Sequence, residues 1–262
     1  MRPVLAFLTD FGTSDHYVGA MKGVALGICP DATLVDVTHG VPPQDVLAGA
    51  FDLAASYRYF PAGTIFVVVV DPGVGSARRG IAAEAGGYRF VAPDNGVLSV
   101  VFDETPPSLV VELTEARFRL PTVSRTFEGR DRFAPAGAWL ATGVDVASLG
   151  PRVDRWEVLA RPAARIDGRT VRGEVMRVDR FGNLITNIDH GTIERLGEGT
   201  AIRVALGGAT DIPFVTTYAA AAPGGCCALV GSSGRLEVAV NGGNAAERLS
   251  AGRGTAVLVR AC

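Results

Sequence analysis

Residues 66–80 read FVVVVDPGVGSARRG. Five apolar residues run without a break into an acid, a proline, glycines and two arginines. A short continuous apolar run is the pattern of a strand buried on both faces, as in a parallel sheet. The Pro and Gly that follow end the strand in a loop. Ligands of open α/β sheets bind beyond the carboxyl ends of the strands. The loop is therefore a candidate site, and the question is whether it holds a phosphate, a metal or something less common.

The neighbouring segments support such a sheet. VLAFLT (4–9) and TLVDVT (33–38) are two more strand candidates, and the strand of the opening stretch extends over 64–70. Helical spacing covers 15–29, stopped before Pro30, and 44–60, stopped by Pro61. IAAEA (81–85) and YRFVAP (88–93) form a hairpin, and DRFAPAGAWLATG (131–143) starts a later helix despite Pro135. Apolar strands joined by helices predict a mostly parallel sheet covered on both faces. After residue 165 the pattern changes to short alternating strands, 170–178, 200–206, 226–231, 236–240 and 255–260. These predict a small β-barrel. The expected organisation is an α/β, Rossmann-like domain over 1–150, a connector over 151–164 and a β-barrel domain over 165–262.

Composition narrows the functional classes. The chain has 262 residues, is 48% hydrophobic and carries a net charge of −2. That charge gives no electrostatic case for nucleic acid or an anionic membrane. Cys29, Cys226, Cys227 and Cys262 show no CxxC or zinc spacing, and the adjacent pair lies in an apolar run. Packed thiols of this kind fit a reducing cytoplasm. The apolar part of the N-terminus is too short for a signal peptide. No apolar run approaches the roughly 20 residues of a membrane span. The expectation is a soluble cytoplasmic protein.

The polar residues gather at loops. Strand ends carry Asp10, Thr38 with His39, and Asp71 with Arg78. Each acid read alone is as well explained by capping of its own turn. Several at one sheet edge favour a site. A nucleotide phosphate does not fit the opening loop, because neither GxGxxG nor GxxxxGK[ST] occurs in the required place. The Asp71 carboxylate would also repel a phosphate. His16, His39 and His190 are scattered and form no HxH or HExxH, so no metal site is indicated. No GxSxG marks a hydrolase nucleophile. SRTFEGRDRFAP (124–135) gathers Glu128, Arg130 and Asp131 around Gly129, with a helix N-cap at Asp131 as the structural alternative. VDRFGNLITNI (178–188) and GSSGRLEVAVNGGNAAERL (231–249) read as turns between barrel strands, with Asn183, Ser232 and Asn241 as polar donors.

The ordered set LTDFG…YVGAMKG, VDVTHGV, DPGVGSARR, PDNG, TFEGRDRFAP, DRFGNLITNI and GSSGRLEVAVNGGNAAERL resembles one family. These are the S-adenosylmethionine hydroxide adenosyltransferases, relatives of fluorinase and chlorinase. The motifs run from about residue 8 to 249, nearly the whole chain. Each is weakly specific alone, and the ordered set is strongly specific. The resemblance implies an N-terminal α/β domain, a C-terminal barrel, and a homotrimer with sites between subunits. It implies hydrolysis of S-adenosylmethionine to adenosine and methionine, with no metal or organic cofactor. By matched position it implies Asp71 and Arg78 as catalytic residues and Asp10 on the ribose hydroxyls. It places Asp179 on the methionine ammonium, Ser232 on its carboxylate, and Asn183 and the stretch around Asn241 on adenine. Phe181 and Tyr218 would flank the adenine, with Glu237 in the same binding turn.

Two positions discriminate within the resemblance. The halogenases carry a tyrosine where this chain has Asp71, and lack a match to Arg78. A carboxylate beside a halide site would repel the halide, so Asp71 argues for water as the nucleophile. The family's third catalytic residue is a histidine, and here the position is Glu128. Glu128 either pairs with Arg78 and serves as base, or sits too near Asp71 and weakens the site. The alternatives to hydrolysis are accordingly an adenosyl-ligand binder with little or no turnover, and a halogenase.

Overall fold

The computed structural model describes residues 2–197 and 200–262. Two compact units divide the chain, one up to Leu159 and one from Ala160 onward.

The first unit contains, in order, β1 (Val4–Thr9), α1 (Tyr17–Ile28), β2 (Thr33–Thr38), α2 (Val46–Ser56), β3 (Ile65–Val69), β4 (Gly80–Ala85), β5 (Tyr88–Pro93), α3 (Ser99–Glu104), β6 (Leu109–Glu112) and α4 (Ala134–Ala141). The strands form one sheet of order β2-β1-β3-β5-β4-β6. The pairs of β1 with β2, β1 with β3 and β3 with β5 are parallel, whereas β4 runs antiparallel to both its neighbours.

The opening stretch supplies the centre of this sheet. Ile65 through Val70 are at most 2% exposed. Phe66, Val68 and Val70 face one core, with Ala48 and Leu53 of α2 and Val101 and Phe102 of α3. Ile65, Val67 and Val69 face the other, with Met21 and Ala25 of α1 and Ala136, Ala138 and Leu140 of α4. Side chains of a strand alternate between faces, so a continuous apolar run is what a strand between two helical layers requires. Each such side chain contributes about 1.5–3 kcal/mol on burial.

The second unit contains β7 (Arg165–Asp167), β8 (Thr170–Val178), β9 (Leu184–Asp189), α5 (His190–Gly197), β10 (Ile202–Leu206), β11 (Ala209–Pro213), β12 (Cys226–Val230), β13 (Arg235–Val240), α6 (Ala245–Arg248) and β14 (Ala256–Ala261). The strand order is β11-β10-β14-β8-β9-β13-β12, with β7 paired to β8. A parallel bridge from Phe214 to Ala228, with the Val215 amide donating to the Ala228 carbonyl at 2.8 Å, joins the two ends of this order. The sheet thereby closes into a barrel around Val171, Val175, Leu184, Ile188, Val204, Leu236, Val238, Val257 and Val259.

Several local expectations change. The predicted helix over 44–60 is helical only to Ser56, and Tyr57–Tyr59 form a 3-10 turn. The predicted helix over 131–143 begins as a π turn at Gly129–Phe133, and Pro135 sits in the first turn of α4, where its missing amide is tolerated. The stretch 151–159 lies along the first unit. Val153 donates to Val110, the Glu157 amide to Asp94 Oδ1 at 2.8 Å, and the Leu159 amide to Ser99 Oγ at 2.9 Å. All four cysteines are free thiols, and Cys29 and Cys227 are buried. No helix among the described residues is long and apolar enough to cross a membrane.

Candidate active site

Register brings the acids of the first unit to one edge. Thr9 of β1 pairs with Val69 of β3 in parallel, so Asp10 and Asp71 both lie just past the carboxyl ends of adjacent strands. Neither carboxylate caps its own turn. Asp10 Oδ2 accepts the Gln44 amide at 2.7 Å, from the loop after β2. Gln44 has φ of 67°, a left-handed conformation rare outside glycine.

Asp71 pairs with Arg78. Two short turns fold the loop back on itself: the Val74 amide donates to the Asp71 carbonyl, and the Ser76 hydroxyl bonds the Gly73 carbonyl at 2.7 Å. Arg78 Nε then lies 2.9 and 3.0 Å from the two Asp71 oxygens, and Nη2 donates to Oδ2. The same Nη2 donates to Glu128 Oε2 at 2.6 Å. The side chains of Asp71, Arg78 and Glu128 are 4%, 10% and 13% exposed, so water screens them little. Glu128 therefore pairs with Arg78, as one sequence expectation has it. Burial alone would lower the Arg78 pKa, but the hydrogen bonds and charges of Asp71 and Glu128 outweigh it and raise it. The guanidinium is a fixed cation.

Glu128 immediately precedes the π turn. Turns of this type recur at functional sites because they redirect side chains. Here the turn carries Arg132 and Phe133 into the cluster. Arg132 Nη1 lies 3.5 Å from Glu128 Oε2, and the Arg78 guanidinium carbon lies 5.2 Å from the centre of the Phe133 ring. Gly80 makes room for both: a Cβ there would fall 2.7 Å from Phe133 Cε1 and 3.3 Å from Arg132 Nε. Asp131 is not the N-cap that the sequence allows. Its fully buried carboxylate accepts the Ser124 amide at 2.8 Å and pairs with Arg130 Nε at 2.6 Å, which ties the preceding loop to the turn.

His39 is a buried residue of the fold. Its Nδ1 lies 2.9 Å from Thr9 Oγ1, and its Nε2 lies 2.9 Å from Asp36 Oδ1. The His39 carbonyl also accepts the Gly12 amide at 2.8 Å, so this residue steadies the loop that bears Asp10.

The second unit holds most of the other predicted residues in turns, whereas Glu237, expected in the binding turn, lies within β13. Asp179 Oδ1 accepts the amides of Phe181 and Asn183, and Oδ2 accepts Asn183 Nδ2 at 2.9 Å. Asn183 is buried by this turn, whereas Phe181 is 76% exposed. Asn241 Nδ2 donates to the Ala221 carbonyl at 2.8 Å, which fixes the loop before β12. Ser232 is exposed in the turn between β12 and β13. The Tyr218 hydroxyl donates to Oε1 of Glu237, which lies within β13 and is 4% exposed. Burial, and to a lesser degree the charge of Asp179, raise the Glu237 pKa against the lowering effect of the Tyr218 hydrogen bond.

Arg132, Phe133, Gln44 and Thr9 carry no sequence signal of their own. The i, i+4 spacing of Glu128 and Arg132 would be a clue only within a helix, and the helical pattern begins at 131, after Glu128.

Comparison with known proteins accounts for both units. Residues 5–150 match the model of the SAM hydroxide adenosyltransferase N-terminal domain, and residues 173–258 that of the C-terminal domain. The chain belongs to the SAM hydroxide adenosyltransferase family. It is 42% identical to a Thermus thermophilus protein named (R)-S-adenosyl-L-methionine hydrolase, over 98% of this chain and 99% of that one. It is 32% identical to an Actinoplanes fluorinase, over 91% of each. A crystal structure of an uncharacterized conserved protein from Thermotoga maritima superposes with a TM-score of 0.92 at 35% identity, covering 98% of this chain and 99% of that one.

Proposed function

We propose that this chain is an enzyme that hydrolyses S-adenosyl-L-methionine, releasing adenosine and L-methionine. The observation that carries the reading is one guanidinium, Arg78, bonded to two shielded carboxylates, Asp71 and Glu128, past the end of the central strand. A water oxygen attacks C5′ of the adenosyl group. The C5′–S bond breaks, and its electron pair stays on sulfur as methionine becomes a neutral thioether. The water gives up one proton to a carboxylate. Attack of hydroxide on a sulfonium annihilates charge, which a site shielded from water favours. The Arg78 field favours the hydroxide, and the carboxylates orient it and take its proton. No metal or organic cofactor enters this scheme. The names of the relatives support the reaction, and Asp71 supports water over halide as nucleophile.

In this reading Asp10 takes the ribose hydroxyls, Asp179 the ammonium and Ser232 the carboxylate of the methionyl group. Asn183 and Asn241 meet adenine between Phe181 and Tyr218, and Glu237 acts by holding Tyr218. The family resemblance supports a homotrimer, which sedimentation of the purified protein would check. The free cysteines suit a reducing cytoplasm.

The deciding assay incubates purified protein with each sulfur epimer of S-adenosyl-L-methionine and follows adenosine and methionine by chromatography. Both epimers matter because the relatives are named for the (R) form. Adenosine above the rate without enzyme is expected. Binding without adenosine would make the chain an adenosyl-ligand binder, the reading that Glu128 at the histidine position favours. A 5′-halo product in chloride or fluoride would overturn the role given to Asp71.

A further inference from the structure

We infer that Arg132 is a positioning residue whose charge lets a glutamate serve at position 128. The inference rests on the hydrolytic reading of the site and concerns how this chain completes it. A neutral imidazole at 128 would leave Asp71 and Arg78 as a balanced pair. Glu128 adds a negative charge, and it does so on the same nitrogen, Arg78 Nη2, that Asp71 already uses. Two shielded carboxylates on one cation repel each other, and the second lacks a counter-charge of its own.

Arg132 supplies the missing cation. Its side chain is 19% exposed and its Nη1 faces Glu128 Oε2 at 3.5 Å, while Nη2 is anchored on the Leu113 carbonyl at 2.5 Å. The anchor fixes the guanidinium, so the charge is held where Glu128 needs it. Burial and the nearby Arg78 lower the Arg132 pKa, and Glu128 and Glu112 act against them. The groups that face Glu128 are thus Arg78 from the loop after β3 and Arg132 from its own turn, with Asp71 behind Arg78. Both guanidiniums meet Oε2. This arrangement leaves Oε1 for the nucleophile.

The test is a double-mutant cycle with an independent readout. Arg132→Met is made in the natural chain and in the Glu128→His variant, and kcat/KM for S-adenosylmethionine is measured in all four proteins. A loss of about tenfold or more with Glu128, and less than about threefold with histidine, is expected. Equal losses in both backgrounds would show a structural role and overturn the inference, as would no loss in either. The same cycle read as stability in denaturant needs no activity: Arg132→Met should cost the natural chain more than it costs the Glu128→His variant, and Arg132→Lys should largely restore the loss. Equal costs in the two backgrounds overturn the inference even in a protein without turnover, whereas failure of the hydrolytic reading shows only as inactive natural protein.

Discussion

Nη2 of Arg78 lies 2.6 Å from Oε2 of Glu128, a contact spanning 50 residues of sequence. With the Asp71 pairing on the same guanidinium, this contact makes Arg78 a bridge that holds two shielded carboxylates side by side. Its removal affects chemistry and stability together. Arg78→Ala should lower kcat/KM by about 10²-fold or more, the usual cost of deleting an electrostatic group from a preorganised site. It should also destabilise the protein by about 3 kcal/mol, because Asp71 loses its counter-charge and Glu128 keeps only the longer contact to Arg132. Arg78→Lys keeps the charge but not the fork, and should recover stability more than turnover. Steady-state kinetics and denaturant melts separate the two effects. Turnover unchanged in Arg78→Ala would remove this residue from the mechanism.

Glu128 tests which chemistry position 128 supports. Glu128→His should retain or raise kcat/KM, because an imidazole restores the family's residue and still accepts a proton near neutral pH. Glu128→Ala should lose about 10²-fold, the lower end of what a positioned base contributes. Equal rates for the natural chain and Glu128→Ala would show that this carboxylate takes no part.

The sequence made the central sheet legible because β3 has no polar position at all. Phe66 to Val70 pack against helices on both faces, and only an inner strand of a sheet covered on both faces tolerates that. Asp71 and Arg78 were legible because their loop directly follows it. Arg132 was not. Three charged residues run together at 130–132, and nothing in their types says which turns inward. The π turn decides it: Arg130 pairs with Asp131 at 37% exposure, and Arg132 points to Glu128. The pattern read a plain helix over 131–143 because the extra residue of a π turn leaves no compositional trace. The link from Asp10 to Gln44 was equally hidden, since it uses a backbone amide that any residue would supply.

Gly75 joins the two halves of the Asp71–Arg78–Glu128 cluster by close approach. It has φ of 76°, and a Cβ there would fall 2.2 Å from the Arg125 carbonyl oxygen. A side chain at this position must push the 71–79 loop away from the segment that leads to Glu128. Gly75→Ala should therefore cost about 1–3 kcal/mol from the strained backbone and lower kcat more than an equally destabilising core substitution far from the site. A melt within error of the natural protein, with full activity, would contradict this placement.

Glu237 should make stability depend on pH in a direction opposite to that of a salt-bridged carboxylate. Its pKa is raised above the usual glutamate value, mainly by burial. The folded state thus holds a proton that the unfolded chain has already released. The contribution is fully present below the unfolded value near 4.5 and is lost as pH rises through the raised folded value. Glu237→Gln keeps an acceptor for the Tyr218 hydroxyl but cannot ionise, so it carries no such loss. Calorimetric Tm values taken between about pH 5 and 8 should show the variant gaining on the natural protein as pH rises. Glu237→Ala removes the acceptor as well. It should raise KM for S-adenosylmethionine at every pH, because Tyr218 is then no longer held in place. Parallel Tm curves for the natural protein and Glu237→Gln would mean that this carboxyl is ionised in the fold throughout that range.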